Sequence, residues 1–173
     1  MPQDAAALLV LGNEETARAW LPSQVYADRA HAASVLAHLI RQYATPADPR
    51  AGPYVLGVEH RADRRLVGHV GFSPMGADVE IGYAMGQAYQ RRGYSAEAIV
   101  AASRWAFAQF GLPKIIAVTS AANLASLRTL ARAGFVHQED KVMRFQGAGQ
   151  QVGVYVMQSP LAGGGAARQV VAR

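Results

Sequence analysis

Cysteine is absent from the chain, which removes disulfides, thiolate metal sites and every mechanism built on a cysteine nucleophile. Also missing is any run approaching the roughly 18 uninterrupted apolar residues of a membrane-spanning helix. The opening residues, MPQDAAALLV, lack the basic-then-apolar pattern of a secretory signal. A soluble, cytoplasmic protein is therefore expected, with no membrane partner. Aromatic residues are few and no basic run is long enough for a nucleic-acid tail, so nucleic-acid binding is not expected either. The five histidines, His31, His38, His60, His69 and His137, have no metal-ligand spacing, and no metal site is expected. His31 and His38 are placed on the surface of a helix.

With 173 residues, half of them hydrophobic, the chain suits one domain with a real core. That domain is expected over residues 1–160, followed by a flexible tail at 161–173 (LAGGGAARQVVAR). The net charge of +5 is spread thinly, with one cluster at Arg61, Arg64 and Arg65 and another at Arg91 and Arg92, and it suits a small polyanionic ligand as well as RNA. Residues 3–12 read as a helix stopped by Gly12, with no strand before it, and Asp28 to Tyr43 as a second helix. The loop TPADPRAGP then breaks the pattern and is expected near the mouth of any site. Three strands follow at 54–60, 65–73 and 78–85, separated by RADR and PMGA, an antiparallel meander.

A helix from about Ser95 to Phe110 ends at Gly111-Leu112-Pro113, a glycine-then-proline stop. The apolar run KIIAVTS at 114–120 suits a strand buried on both faces. A short helix starts at Asn123, carries Leu124, Leu127 and Leu130 along one stripe and ends at Gly134. A hairpin of FVHQEDKVMRF and VGVYVMQ across the turn QGAGQQ closes the domain. The fold class is α+β, or mixed α/β.

The stretch QRRGYSAEA, Gln90 to Ala98, carries most of the chemistry. Gly93 allows a tight turn, and the helix behind it opens with free backbone N–H groups and the positive end of its dipole. The residues alone leave two readings open, an anion site and an ordinary basic turn.

Four features agree in order and spacing: the strand DVEIGYAM, the QRRGYS loop, the helix after it, and a helix with Asn123 and Ser126 ending in Gly134-Phe135. Together they resemble the GNAT N-acetyltransferase superfamily over about Pro2 to Gln158, and EIGYAMGQAYQRRGYSAEA looks most like the ribosomal-protein alanine N-acetyltransferase (RimJ/RimL-like) branch. Gln90 and Gly93 match the superfamily's acyl-CoA loop, and Ser95 stands where glycine or alanine is usual. The branch usually opens with a strand before the first helix, whereas this sequence starts inside or just before that helix, which leaves open whether the strand is shortened, replaced or missing. The tyrosine that many members carry seven residues after the helix asparagine is Leu130 here.

The resemblance implies a twisted, mostly antiparallel sheet that splays where acetyl-CoA lies between strands 79–85 and 114–120. Backbone groups of Tyr83, Ala84 and Met85 would pair with the pantetheine. Gln90 and the amides of Arg91, Arg92, Gly93, Tyr94, Ser95 and Ala96 would hold the pyrophosphate, Asn123 would contact the cofactor, and Arg132 its 3′-phosphate. An N–H near Met85 would stabilise the oxyanion. Glu80 is the candidate base and Ser126 the candidate acid in place of the missing tyrosine; each has an ordinary structural role as its alternative, a strand carboxylate and a helix serine. His69 is a second candidate base, and Trp20, Tyr26 and Tyr54 are candidates for an acceptor pocket, though such residues are more often core.

Direct attack by a neutral amine needs no covalent acyl-enzyme, in keeping with the missing cysteine. An α-amine, with a pKa of about 7.7–8.0, is partly neutral near pH 7, whereas a lysine at about 10.4 is almost wholly charged. A chain without a strongly marked base therefore fits the N-terminal α-amine of a protein or peptide. A small amine (an antibiotic, polyamine or amino-acid derivative) and a catalytically inactive CoA-binding module are the alternatives. The unfilled sheet edge would favour a homodimer.

Overall fold

Alternation of apolar residues sets the sheet. In the computed structural model, which describes residues 1–43, 47–145 and 148–160, six strands form one sheet: β1 (Tyr54–His60), β2 (Arg65–Met75), β3 (Asp78–Met85), β4 (Lys114–Ser120), β5 (Val136–Phe145) and β6 (Ala148–Gln158). Their order is β1-β2-β3-β4-β6-β5. Every pairing is antiparallel except that of β3 with β4. The three expected meander strands are present, and β2 runs two residues further than expected, through Pro74 and Met75. The closing hairpin is also present, with strand pairing extending to Phe145 and Ala148.

Because side chains alternate across a strand, Val70 and Phe72 of β2 share a face with Val79 and Ile81 of β3. They pack on Ile99, Ala106 and Phe107 of the helix α4 (Tyr94–Phe110) and on Leu130 of α5 (Leu124–Ala133). Burying a side chain of this size contributes about 1.5–3 kcal/mol. Both helices end where the glycines foretell: Gly111 and Gly134 adopt left-handed conformations, with φ of 60° and 92°. In α5 only part of the expected stripe is buried. Leu130 is in the core, but Leu124 on the first turn is 57% exposed. Central β4 is mostly buried along its length.

The other face of the sheet is covered by α1 (Ala5–Asn13) and α3 (Arg29–Gln42), whose small core is Leu8, Tyr26 and Ala32. Asp28 caps α3 by accepting from the His31 N–H at 2.8 Å, and His31 and His38 are exposed as expected. As expected too, no strand precedes α1 among the described residues, so β1 forms one edge of the sheet and the charge-bearing β5 the other.

Two expectations are corrected here, and one helix is added. Gly12 does not stop the first helix: it lies inside α1, and a Cβ there would stand 2.3 Å from the Gln24 carbonyl and 2.6 Å from the Tyr26 ring. The glycine marks a close approach of two segments. The added helix is α2 (Glu15–Trp20). The loop TPADPRAGP, of which residues 47–53 are described, does not border the cleft: Pro49 is buried and the Arg50 guanidinium donates to the Phe110 carbonyl, at the end of α4 remote from its N-terminus. The expected tail, 161–173, lies outside the described residues.

The segment between α2 and α3 is fastened at both ends. Asn13 Nδ2 donates to the Tyr26 carbonyl at 2.9 Å, and Gln24 Oε1 lies 2.8 Å from His69 Nε2 on β2. His69 Nδ1 is buried without a partner. Burial therefore holds the imidazole neutral, its pKa pushed down from 6.5 to about 4.

Two stability measurements follow. G12A forces Gln24 and Tyr26 apart and lowers stability by about 1–3 kcal/mol, read as a lower urea midpoint at unchanged m-value. For His69, the folded pKa is depressed, so the unfolded chain binds the extra proton between pH 4 and 6.5. Stability is full above about 6.5 and falls by roughly 3 kcal/mol as the pH drops toward 4. In H69Q that part of the pH dependence disappears; if the acid slope is unchanged, His69 is not its source.

Candidate active site

Where β3 and β4 run side by side they register at one pair, Glu80 with Ile116. Beyond it each strand keeps its other neighbour: β3 stays paired with β2 as far as Met85 and β4 with β6 as far as Ser120. The two strands thus part while both remain held, and a cleft of about 870 Å³ opens between them. Ile81 to Met85 line one wall and Ala117 to Thr119 the other. The edge of β3 that faces β4 is left with backbone groups to satisfy. Gly82 is exposed here, and a Cβ on it would meet nothing within 4 Å.

At the closed end of the split, Glu80 accepts a hydrogen bond from the Val118 N–H. Burial outweighs that bond and holds the Glu80 carboxyl above the usual carboxylate range. Glu80 lines the cleft, as the sequence motif implied, and also caps a backbone amide at the point where strand pairing stops.

The loop from Gln87 to Gly93 forms the far end. Arg91 and Gly93 both have left-handed backbones, with φ of 60° and 87°. For arginine this conformation is strained, at a cost of order 1–3 kcal/mol. The turn delivers the chain into α4 with Gly93 as N-cap and no side chain bonded to the first amides. Turned backbone, free N–H groups and the helix dipole give this end of the cleft the features that suit an anion. Arg91, Arg128 and Arg132 line the same cleft, and none of the three has an ion-pair partner among the described residues.

Of the residues expected from sequence, Glu80, Tyr83, Ala84, Met85, Gln90, Arg91, Gly93, Ser95, Ala96, Asn123, Ser126 and Arg132 border this one cleft. Arg92 and Tyr94 do not line it; Arg92 is exposed, and the Tyr94 ring sits 5.7 Å from that of His60. Gln90 acts as a brace, its Nε2 donating to the Met85 carbonyl at 2.9 Å and to Thr16 Oγ1 at 3.4 Å. Asn123 caps α5 by accepting from the Ser126 N–H at 3.0 Å.

Among the pocket candidates, only Trp20 borders the cleft. Tyr26 belongs to the α1–α3 core, and Tyr54 packs on Tyr43, Trp105 and Phe110. His69 is bonded to Gln24 outside the cleft lining, and a group with a pKa near 4 is a weak base at neutral pH. Sequence reasoning missed the α2 wall of Thr16, Ala17 and Leu21, together with Arg128 and Thr129. The only signal for Arg128 was its place one helical turn before Arg132.

A family model described as an acetyltransferase (GNAT) domain matches residues 1–136. An uncharacterized N-acetyltransferase of Bacillus subtilis, YoaA, is 34% identical over 91 residues, 51% of this chain and 50% of that protein. The match thus spans about half the length of the curated relative. Among solved structures, a ribosomal-protein-S5-alanine acetyltransferase from Vibrio fischeri superposes with a TM-score of 0.76 at 19% identity, covering 92% of this chain and 90% of that one. A spermidine N-acetyltransferase SpeG variant from Vibrio cholerae gives 0.68 at 18%, covering 91% of each. Such distant likenesses establish the fold and leave the branch open. Acetyl-CoA is the donor used by GNAT acetyltransferases, and the split sheet, the open glycine floor and the anion loop suit its pantetheine and pyrophosphate. By sequence model, sheet topology and the position of the cleft, the chain belongs to the GNAT acetyltransferase family.

Proposed function

We propose that the protein is an acetyl-CoA-dependent N-acetyltransferase whose acceptor is a singly charged primary amine, the N-terminal α-amine of a protein or peptide. The observation that carries this reading is the make-up of the acceptor wall. Ala17, Trp20 and Leu21 supply an apolar and aromatic surface, and Glu80 is the one carboxylate among the described residues lining the cleft. A polyamine would bring several ammonium groups into a site with a single negative partner, at a desolvation cost the site does not offset. A small amine with an apolar body remains the second reading, because Trp20 suits it equally. The RimJ/RimL-like branch is part of this proposal and rests on the phrase EIGYAMGQAYQRRGYSAEA.

In the reaction the amine nitrogen attacks the thioester carbon, the new N–C bond forms, and the electron pair of the breaking C–S bond goes to sulfur. Glu80 takes the amine proton directly or through a water, and its raised pKa makes it a stronger base than an exposed carboxylate. Arg91, Arg128 and Arg132 balance the charge of the donor's phosphates. Ser126 lies across the cleft as hydrogen-bond donor to the leaving sulfur. Most of the acceleration comes from holding amine and thioester together.

The experiment is a thiol-release assay with acetyl-CoA against peptides with free N-termini, small aromatic amines and spermidine. Turnover on peptides is expected; turnover on spermidine alone would overturn the acceptor assignment, and none on any amine would favour a CoA-binding module. With the active acceptor, E80Q lowers kcat/KM by roughly 10²-fold, toward the low end for general-base catalysis. Activity of the wild type falls as the pH drops through the raised Glu80 pKa, since the protonated carboxyl accepts no proton. That acid limb is absent in E80Q. An E80Q enzyme retaining both rate and limb would leave Glu80 only its bond to Val118.

A further inference from the structure

Tyr83 has a polar group for which the backbone contact expected of it gives no role. Its side chain shares a face with Ile81 and points toward α5, and its hydroxyl crosses the split. Tyr83 Oη lies 2.9 Å from Ser126 Oγ and 3.3 Å from the Ser126 carbonyl oxygen. The Thr129 hydroxyl also reaches it, but the Thr129 proton is committed to the Ala125 carbonyl at 2.9 Å, so threonine offers only lone pairs. Of the groups around Tyr83 Oη, the Ser126 carbonyl and Thr129 can only accept, whereas Ser126 Oγ can accept or donate; at 2.9 Å against 3.3 Å for the carbonyl, the serine oxygen is the nearer acceptor for the single phenolic proton. Ser126 Oγ has no other partner among the described residues. Once it accepts from Tyr83, its own single proton is free for whatever lies in the cleft.

We propose that Tyr83 is a positioning residue for the leaving group: its phenol donates to Ser126 Oγ and so turns the Ser126 proton toward the sulfur released from the thioester. This rests on the reading of the cleft as an acetyl-CoA site. The buried Leu130 occupies the helix position at which a tyrosine would otherwise stand, and the phenol arrives from β3 instead. Burial raises the Tyr83 pKa, with the bonds to Ser126 and Thr129 opposing, so the phenol keeps its proton throughout the working range. The balance is closed without a charge change on either hydroxyl. Sulfur receives the electron pair of the C–S bond and a hydrogen bond from Ser126, and is protonated by water. The proton that the amine gave to Glu80 returns to water.

The test uses the whole protein and needs no acceptor. Wild type, Y83F, S126A and the double variant are titrated by calorimetry at pH 8 with CoA, which carries the thiol, and with desulfo-CoA, which does not. Wild type prefers CoA. Y83F loses about tenfold of that preference, the worth of one charge-assisted hydrogen bond, while its affinity for desulfo-CoA stays within about twofold. In the S126A background the Tyr83 change has no further effect, because Tyr83 acts through the serine. Y83F with an unchanged CoA preference, or with effects that add to those of S126A, overturns the proposal. A parallel loss of both affinities also overturns it, since Tyr83 would then be a packing residue. Wild type that binds neither ligand defeats the reading of the cleft itself, a result distinct from the other three.

Discussion

The parting of β3 and β4 is the constraint from which the rest of the site follows. A parallel pair inside a sheet would normally run on, because an unpaired buried backbone group costs about as much as a lost hydrogen bond. Here both strands are held by their outer neighbours, β2 and β6, in full antiparallel registers, and neither can bend back to the other. The unpaired edge that results is a strand-shaped template. A ligand with amide groups along an extended chain satisfies it as a neighbouring strand would. The last backbone pairing before the split is that of Glu80 with Ile116, so the Glu80 side chain sits at its base.

Rigidity around the split comes from bonds between segments distant in sequence. Gln90 joins the end of β3 to α2. Glu14, between α1 and α2, accepts from the Gln87 N–H at 2.7 Å and so fixes the start of the phosphate loop. At the opposite side of that loop, the β1–β2 turn is braced through Asp63, which contacts His60 at 2.9 Å and the Tyr89 hydroxyl at 3.3 Å. These contacts are modest singly, at about 0.5–1.5 kcal/mol each. Their effect is geometric: the α2 wall and the Gln87–Gly93 loop are each tied to the central sheet, so under the proposed function amine and thioester would meet in a frame that is already assembled. That is where a transferase without a covalent intermediate finds its rate.

How much of this was legible beforehand depended on the range of the interaction. Strand alternation, the glycine-and-proline ends of α4 and α5 and the Gly93 turn are local, and each was readable. The cleft lining from β3 through the Gly93 loop into α4 was readable too, because it comes from one contiguous motif. The α2 wall was not. It rests on α2, a helix of six residues with no apolar period to announce it, and on the pairing of Gln24 with His69, 45 residues apart. Gly12 was misread for the same reason. A glycine that admits a neighbouring segment looks identical in sequence to one that ends a helix, and only the position of Gln24 and Tyr26 tells them apart. The proline-rich loop was misplaced because composition shows that a segment turns but not which end of the sheet it turns toward.

The loss of the helix tyrosine need not mean the loss of chemistry, and strand geometry gives the reason. Glu80 and Tyr83 are an even and an odd position of one strand, so their side chains leave opposite faces of the sheet. Glu80 shares its face with Ser73 and Gly82, whereas Tyr83 shares its face with Ile81 and reaches α5. Under the proposed function, a thioester laid along the split would be approached by the amine from the α2 side and relieved of its thiolate on the α5 side. Separate sides let the carboxylate serve the incoming amine and the hydroxyl serve the departing sulfur without competing for the same space. With a leaving thiol of pKa about 8.5, the donor on the α5 side has only modest work to do. A hydroxyl on either element can do it, provided that it is oriented, and β3 passes close enough to α5 to supply the orienting group.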